Sequence, residues 1–186
     1  MQASVEMTED LIERIALGDR AALEDLYASY RQPLLAYLRL LTSDPGLAEE
    51  ILQDTLLAVW HGAAGYAPRS SPRGWLFGIA RRRARDAMRR RTFRFVDVAA
   101  LETIPATDPD PADAALAAAA HEALTAAVAR LAPAHRETLV LAFAHGLSHQ
   151  ELAETLGIPV GTVKSRLNAA KRAVRASLEA AGGRDR

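Results

Sequence analysis

Apolar residues recur along this chain at three- and four-residue steps and show no strand-like alternation of useful length, so the pattern predicts helices throughout and no sheet. From Thr8, the residues Leu11, Ile12, Ile15 and Ala16 mark a short amphipathic helix, which Gly18-Asp19 closes while the aspartate caps the next. Leu23, Leu26, Tyr27 and Tyr30 supply the inner face of that second helix. Pro33 is expected to interrupt it before Leu34, Leu35, Leu38 and Leu41 resume the period. Thr42-Ser43-Asp44-Pro45 then reads as a cap followed by a proline suited to a first helical turn. A third helix is expected to about Trp60, with Leu47, Ile51, Thr55 and Val59 inside, Leu52 and Leu56 alongside, and Glu49, Glu50, Gln53 and Asp54 on a polar, acidic surface. Trp60 beside that surface has the character of a contact anchor.

Gly62, Gly65, Pro68, Ser70, Ser71 and Pro72 predict a loop that leads into a very basic helix. From Gly74, the residues Trp75, Leu76, Ile79, Ala80 and Ala84 pack one side, and Arg81, Arg82, Arg83, Arg85, Arg89, Arg90 and Arg91 crowd the rest around Asp86. Adjacent arginines at this density repel one another, a cost that a polyanion removes. Trp75 and Phe77 add rings beside the charge, the combination that a separated nucleic-acid strand requires. From Thr92 to Asp113 the periodicity fails, and Asp97, Glu102, Asp108, Asp110 and Asp113 appear with Pro105, Pro109 and Pro111, which reads as a flexible acidic linker. An alanine-rich helix with Leu116, Leu124, Val128 and Leu131 on one face is expected after it, then a helix opened by Pro133 that runs through Leu139, Val140, Leu141 and Phe143 to Gly146.

The next stretch reads as a helix-turn-helix. Ser148 and Glu151 form a capping box, Gly157 suits a left-handed helix terminus, and Pro159 helps to open the second helix. Val163, Leu167, Ala170, Val174 and Leu178 share one stripe of that helix, which leaves Lys164, Ser165, Asn168, Lys171, Arg172 and Arg175 outside. Between Gly161 and Ser177 there is no acidic residue, as suits a helix laid against phosphates and base edges. The fold class expected is therefore all-α, two small helical domains at 1–92 and 114–186 joined by an acidic linker at 93–113.

Composition sharpens this picture only in places. The 186 residues have a formal net charge of zero, but the zero hides a basic block, an acidic block and a second basic block, so it does not argue against a polyanionic partner. The absence of cysteine excludes disulfides, thiolate metal sites and a cysteine nucleophile. His145 and His149 stand four apart, but Gly146 and the Ser148 cap break the helix between them, and His61, His121 and His135 are scattered. No nucleophile with a base, paired carboxylates or glycine-rich phosphate loop appears at mechanistic spacing, so neither a catalytic site nor a metal or cofactor site is expected. No apolar signal core and no membrane-spanning run is present, from which a cytoplasmic location is expected, without membrane insertion.

Several stretches together resemble the extracytoplasmic-function sigma factors of bacterial RNA polymerase, a branch of the sigma-70 family. They are Gly18-Asp19-Arg20-Ala21-Ala22-Leu23-Glu24-Asp25-Leu26-Tyr27, Ala48-Glu49-Glu50-Ile51-Leu52-Gln53-Asp54-Thr55 with Trp60, Trp75-Leu76-Phe77-Gly78-Ile79-Ala80-Arg81, and Gly157 to Leu167. Their order covers nearly the whole chain. The resemblance implies a protein that binds core RNA polymerase, directs promoter recognition and initiation, and is controlled by an anti-sigma factor. It implies that Glu50, Gln53, Asp54 and Trp60 dock on polymerase. It implies that the Gly62 to Pro72 loop with Trp75, Phe77, Arg81, Arg82, Arg85 and Arg89 takes the non-template strand of the minus-ten element. Thr162, Lys164, Ser165 and Asn168 would touch the minus-thirty-five element, with Arg166 and Arg172 on phosphates. Arg82 stands where the family most often has Asn, and Ala169 where an Arg is common, so promoter sequence does not transfer with the resemblance. The chain stops at Arg186, soon after the recognition helix, so C-terminal extensions of some subgroups are expected to be absent. The rival reading, a free-standing helix-turn-helix regulator, leaves Arg81 to Arg91 without a role.

Overall fold

The structure, a computed structural model, describes the backbone of residues 2–67, 71–91 and 111–182 and the side chains of 6–67, 71–90 and 120–181. Of the acidic linker expected at 93–113, residues 93–110 lie outside these, as do the loop residues 68–70, whereas Pro111 to Asp113 are the first turn of a helix, which Pro111 opens, and not linker. Eight α-helices appear among the described residues, with no strand: α1 (Gln2–Ala16), α2 (Arg20–Thr42), α3 (Pro45–Gly62), α4 (Pro72–Arg91), α5 (Pro111–Ala129), α6 (Pro133–Phe143), α7 (His149–Leu156) and α8 (Val160–Gly182). A short 3₁₀ turn, Ala63–Gly65, follows α3.

The helix starts follow their caps. The Asp19 carboxylate accepts from the Ala21 and Ala22 amides and so begins α2, while Gly18 closes the turn before it at φ +86°. Arg14 donates twice to the same Asp19 carboxylate, at 2.9 and 2.8 Å. Asp44 accepts from the Leu47 amide and begins α3 with Pro45 in the first turn.

Pro33 does not interrupt α2, contrary to the sequence expectation; the helix runs unbroken from Arg20 to Thr42. A proline inside a helix costs about 3 kcal/mol. The turn it begins buries Leu34, Leu35, Tyr37 and Leu38, and each fully buried large apolar side chain returns about 1.5–3 kcal/mol. Tertiary burial therefore outweighs the lost amide. Two smaller expectations also fail: Tyr27 is 39% exposed and Leu124 45% exposed, both having been placed on inner faces. In the alanine-rich α5, Ala127 is buried instead of Leu124, because so many alanines leave little periodic contrast to phase the helix.

Helices α1 to α4 form one bundle around Ile12, Leu26, Leu38, Ile51, Val59 and Leu76, all at most 1% exposed. Helices α5 to α8 form a second unit in which α8 packs on α5, α6 and α7. The two meet along a seam where α4 packs on α7 and α2 on α6. The Thr155 hydroxyl on α7 donates to the Gly74 carbonyl on α4 (3.1 Å), and Arg73 Nη1 donates to the His145 carbonyl (3.1 Å). The His145 ring lies 4.4 Å from that of Phe77 and 6.2 Å from that of Tyr37, between the two halves.

Burial, aided by the Arg73 cation, lowers the pKa of His145 from 6.5 to about 4. A depressed value favours the neutral ring in the folded state, so its contribution is intact above pH 6.5 and is lost as pH falls toward 4. Urea midpoints of the wild type are expected to drop across this window more steeply than those of His145→Phe, which keeps the ring without the titration. Parallel pH profiles for the two proteins would contradict the assignment.

Candidate nucleic-acid interface

Helix α3 turns its apolar stripe of Leu47, Ile51, Thr55 and Val59 into the bundle, which leaves Glu50, Gln53 and Asp54 exposed together on the opposite side. Trp60 is half-buried and packs against the core at the end of that surface. Leu57 was not singled out by the sequence reading, yet it is 59% exposed. It shares a shallow groove with Asp54, His61 and Arg83. The only signal available in sequence was that an apolar residue sat out of phase with the buried stripe.

Helix α4 follows across this groove. Trp75 is half-exposed and meets Tyr66 edge-on, with ring centroids 5.2 Å apart. Its indole, Ala58, Gly62, Ile79, Arg82, Arg83 and Asp86 line an open cavity of about 430 Å³. Arg82, Arg85 and Arg89 are exposed. The Arg89–Asp86 pair at 3.2 Å is itself solvated and holds little energy.

Phe77 and Arg81 are not brought to this surface. Phe77 is 1% exposed and lies 5.3 Å from the Tyr37 ring. Arg81 donates from Nε to Glu137 Oε1 on α6 (2.8 Å) and from Nη1 to the Leu156 carbonyl (3.2 Å). Of the six residues expected on one basic surface, four are accessible and two face the second half of the chain. Helical periodicity could not show this, because the burying surface comes from Tyr37, Glu137, His145 and Leu156, all far from α4 in sequence.

In the second half, Ser148 caps α7, with the Ser148 hydroxyl accepting from the Glu151 amide and the Glu151 carboxylate accepting from the Ser148 amide. Gly157 closes α7 at φ +66°, and the Pro159 carbonyl accepts from the Thr162 and Val163 amides to begin α8. Burial of Val163, Leu167 and Ala170 rotates Lys164, Ser165, Asn168, Lys171 and Arg172 outward onto one exposed strip. Thr162 and Arg166 lie on its flank, half-buried. The Ser165 hydroxyl donates to the Thr162 carbonyl (2.9 Å), and Lys171 Nζ stands 5.1 Å over the Phe143 ring on α6. Arg175 pairs with Glu179 at 2.8 Å, the first acid beyond the strip.

Among the described residues no cluster of three histidines and carboxylates could hold a metal, and no helix is long and apolar enough to cross a membrane.

An arginine-lined helix in one half and a basic helix-turn-helix in the other give the chain two basic surfaces of the kind that a polyanion would meet. Comparison with known proteins makes this specific. Residues 26–94 match the family described as Sigma-70 region 2, and residues 121–174 match Sigma-70, region 4. The chain is 33% identical over 168 residues to the ECF RNA polymerase sigma factor SigL of Mycobacterium tuberculosis, covering 90% of this chain and 94% of that one. It is 35% identical over 153 residues to the ECF RNA polymerase sigma factor RpoE of Cereibacter sphaeroides, covering 82% and 83%. The solved structure of CnrH in complex with the cytosolic domain of CnrY superposes with a TM-score of 0.66 at 26% identity, covering 94% and 98%. The chain belongs to the ECF RNA polymerase sigma factors of the sigma-70 family. As a member of that family it is not an enzyme.

The capping box sets where α7 begins and hence how it carries α8. Losing a serine cap costs about 0.5–2 kcal/mol, so Ser148→Ala is expected to lower unfolding stability by that amount in urea melts of the full chain, and Ser148→Thr by less. Equal stability of Ser148→Ala and wild type would contradict the role of the box.

Proposed function

We propose a division of labour across the chain in which residues 1–92 serve core binding and the minus-ten element, and residues 114–186 serve the minus-thirty-five element. The exposed face of α3, with Glu50, Gln53, Asp54 and Trp60, docks on a basic surface of core polymerase. Leu57 adds an apolar contact at its centre. The cavity beside Trp75, flanked by Arg82, Arg85 and Arg89, takes the separated non-template strand: a half-exposed indole offers a stacking surface, and the guanidiniums offer charge to the backbone. Phe77 and Arg81 join that surface only after the seam between the halves parts. Lys164, Ser165 and Asn168 reach base edges in the major groove while Arg166 and Arg172 hold phosphates, with Thr162 at the flank. The acidic linker at 93–110 spans the distance between the two promoter elements. The protein works in the cytoplasm, where its polymerase and promoters are, and an anti-sigma factor controls it; the structurally similar CnrH is solved in complex with a partner, the cytosolic domain of CnrY.

The observation that carries this reading is the strip on α8: it follows a capped helix and a tight turn, is basic along its exposed length, and has no acid before Glu179. Asn168→Ala is expected to relax sequence preference at one upstream position by about 1–3 kcal/mol of discrimination. Arg172→Ala is expected to weaken binding to all sequences alike and to make the logarithmic salt slope shallower by about one unit. Binding of the polymerase–protein complex to a randomised minus-thirty-five library at several salt concentrations measures both. The reverse pattern would mean that α8 enters the groove in another rotation.

Asp54→Arg tests the first half. Asp54 is exposed on α3, so the substitution leaves the core untouched. A like-charge contact at a complementary interface costs several kcal/mol, and affinity for core polymerase is expected to fall about 100-fold with an unchanged circular dichroism spectrum. Unaltered core binding would remove α3 from the docking surface.

A further inference from the structure

The Glu137 carboxylate of α6 is the meeting point of three helices. Arg81 of α4 donates to it from Nε at 2.8 Å and Tyr37 of α2 donates its hydroxyl at 2.8 Å, with the Arg81 and Glu137 side chains 17% and 12% exposed. The remaining Arg81 contact goes to the Leu156 carbonyl at the end of α7. Both hydrogen bonds given for the guanidinium, from Nε and from Nη1, thus go to the second half of the chain. A carboxylate engages the guanidinium fork as a phosphate would. About two turns before Arg81 on α4 the seam is tight as well: a Cβ built on Gly74 would lie 3.5 Å from the Glu151 Cβ and 3.6 Å from Thr155 Oγ1. Phe77, beside Arg81 on α4, is covered by His145.

We infer that Glu137 is an autoinhibitory latch: it occupies Arg81 in place of a nucleic-acid phosphate, holds the second half of the chain over Phe77 and Arg81, and must release before the strand surface of α4 is complete. This rests on the reading of α4 as the strand-binding helix. A buried ion pair suits such a role, since it adds little net stability against water but fixes one register, and one partner's loss is felt by both surfaces. A ligand that binds only the open form has its apparent affinity reduced by the fraction of chains that are open, so weakening the latch raises affinity.

Two experiments decide this. Because the chain contains no cysteine, the double variant Gly74→Cys, Glu151→Cys carries one possible disulfide, and the 3.5 Å Cβ separation suits it. With core polymerase on a promoter that the reduced double variant opens, the oxidised form is expected to lose permanganate reactivity of promoter thymines at least about tenfold, with recovery on adding reductant. In parallel, Glu137→Gln in the full chain is expected to bind a single-stranded oligonucleotide about five- to tenfold more tightly than wild type, a gain that misfolding does not produce. Tyr37→Phe, which deletes one hydroxyl and nothing else, is expected to show a smaller gain and serves if the glutamine variant does not fold. An oxidised clamp that opens promoters like its reduced form, or latch variants that bind the strand no better than wild type, would overturn the latch. If Arg82→Ala with Arg85→Ala leaves strand binding unchanged, the assignment of α4 fails instead, a distinct result.

Discussion

One carboxylate on α6 accepts from a guanidinium on α4 and a phenol on α2, and so ties the two halves of this chain to each other. Desolvating an ion pair offsets most of its attraction, so the seam draws its stability from apolar contact, above all the Phe77, Tyr37 and His145 rings. The ion pair contributes direction, because a shift of one helical turn would leave a charge buried without a partner. The phenol is affected as well: burial, followed by the neighbouring Glu137 charge, holds the Tyr37 hydroxyl well above its usual pKa, so it remains a donor at any physiological pH. The helix expected to receive a promoter strand therefore presents one edge to solvent and the other to the rest of the molecule.

Much of the fold was legible in the sequence because its signals were local. Caps at Asp19, Asp44 and Ser148 and the left-handed Gly157 act within a few residues, and each begins or ends a helix where expected. Pro33 was misjudged because the decisive quantity, burial of Leu34 to Leu38 under α3 and α4, is tertiary. Leu124 was misplaced because alanine neighbours carry no phase. At the candidate surfaces the same division holds. The outward strip of α8 follows from the buried phase of Val163, Leu167 and Ala170, whereas the burial of Phe77 and Arg81 depends on Glu137, Leu156 and His145, which no periodicity connects to α4. Leu57 was hidden for the opposite reason, since in a helix this rich in apolar residues its being out of phase with the buried stripe is a weak sign that it faces outward.

Charge is distributed for a polyanionic partner in spite of the neutral total. The open arginines on α4 and the basic strip on α8 lie in different halves, each beside a surface of different shape: a cavity with an indole in one, a helix free to enter a groove in the other. Unstacked bases need rings and duplex needs a narrow protruding element, so the two halves are suited to different states of one DNA. This also accounts for the value of separate units, since a rigid single domain would have to hold both elements at one fixed spacing.

With these two surfaces, the chain gives core polymerase a promoter specificity that neither has alone. Run-off transcription from a library of promoter fragments, with core polymerase and the protein together and each separately, tests it most directly. Discrete transcripts are expected from a subset of fragments sharing two spaced elements, and only when both components are present. Transcripts independent of the protein, or tight sequence-specific duplex binding by the protein alone with no initiation, would contradict it.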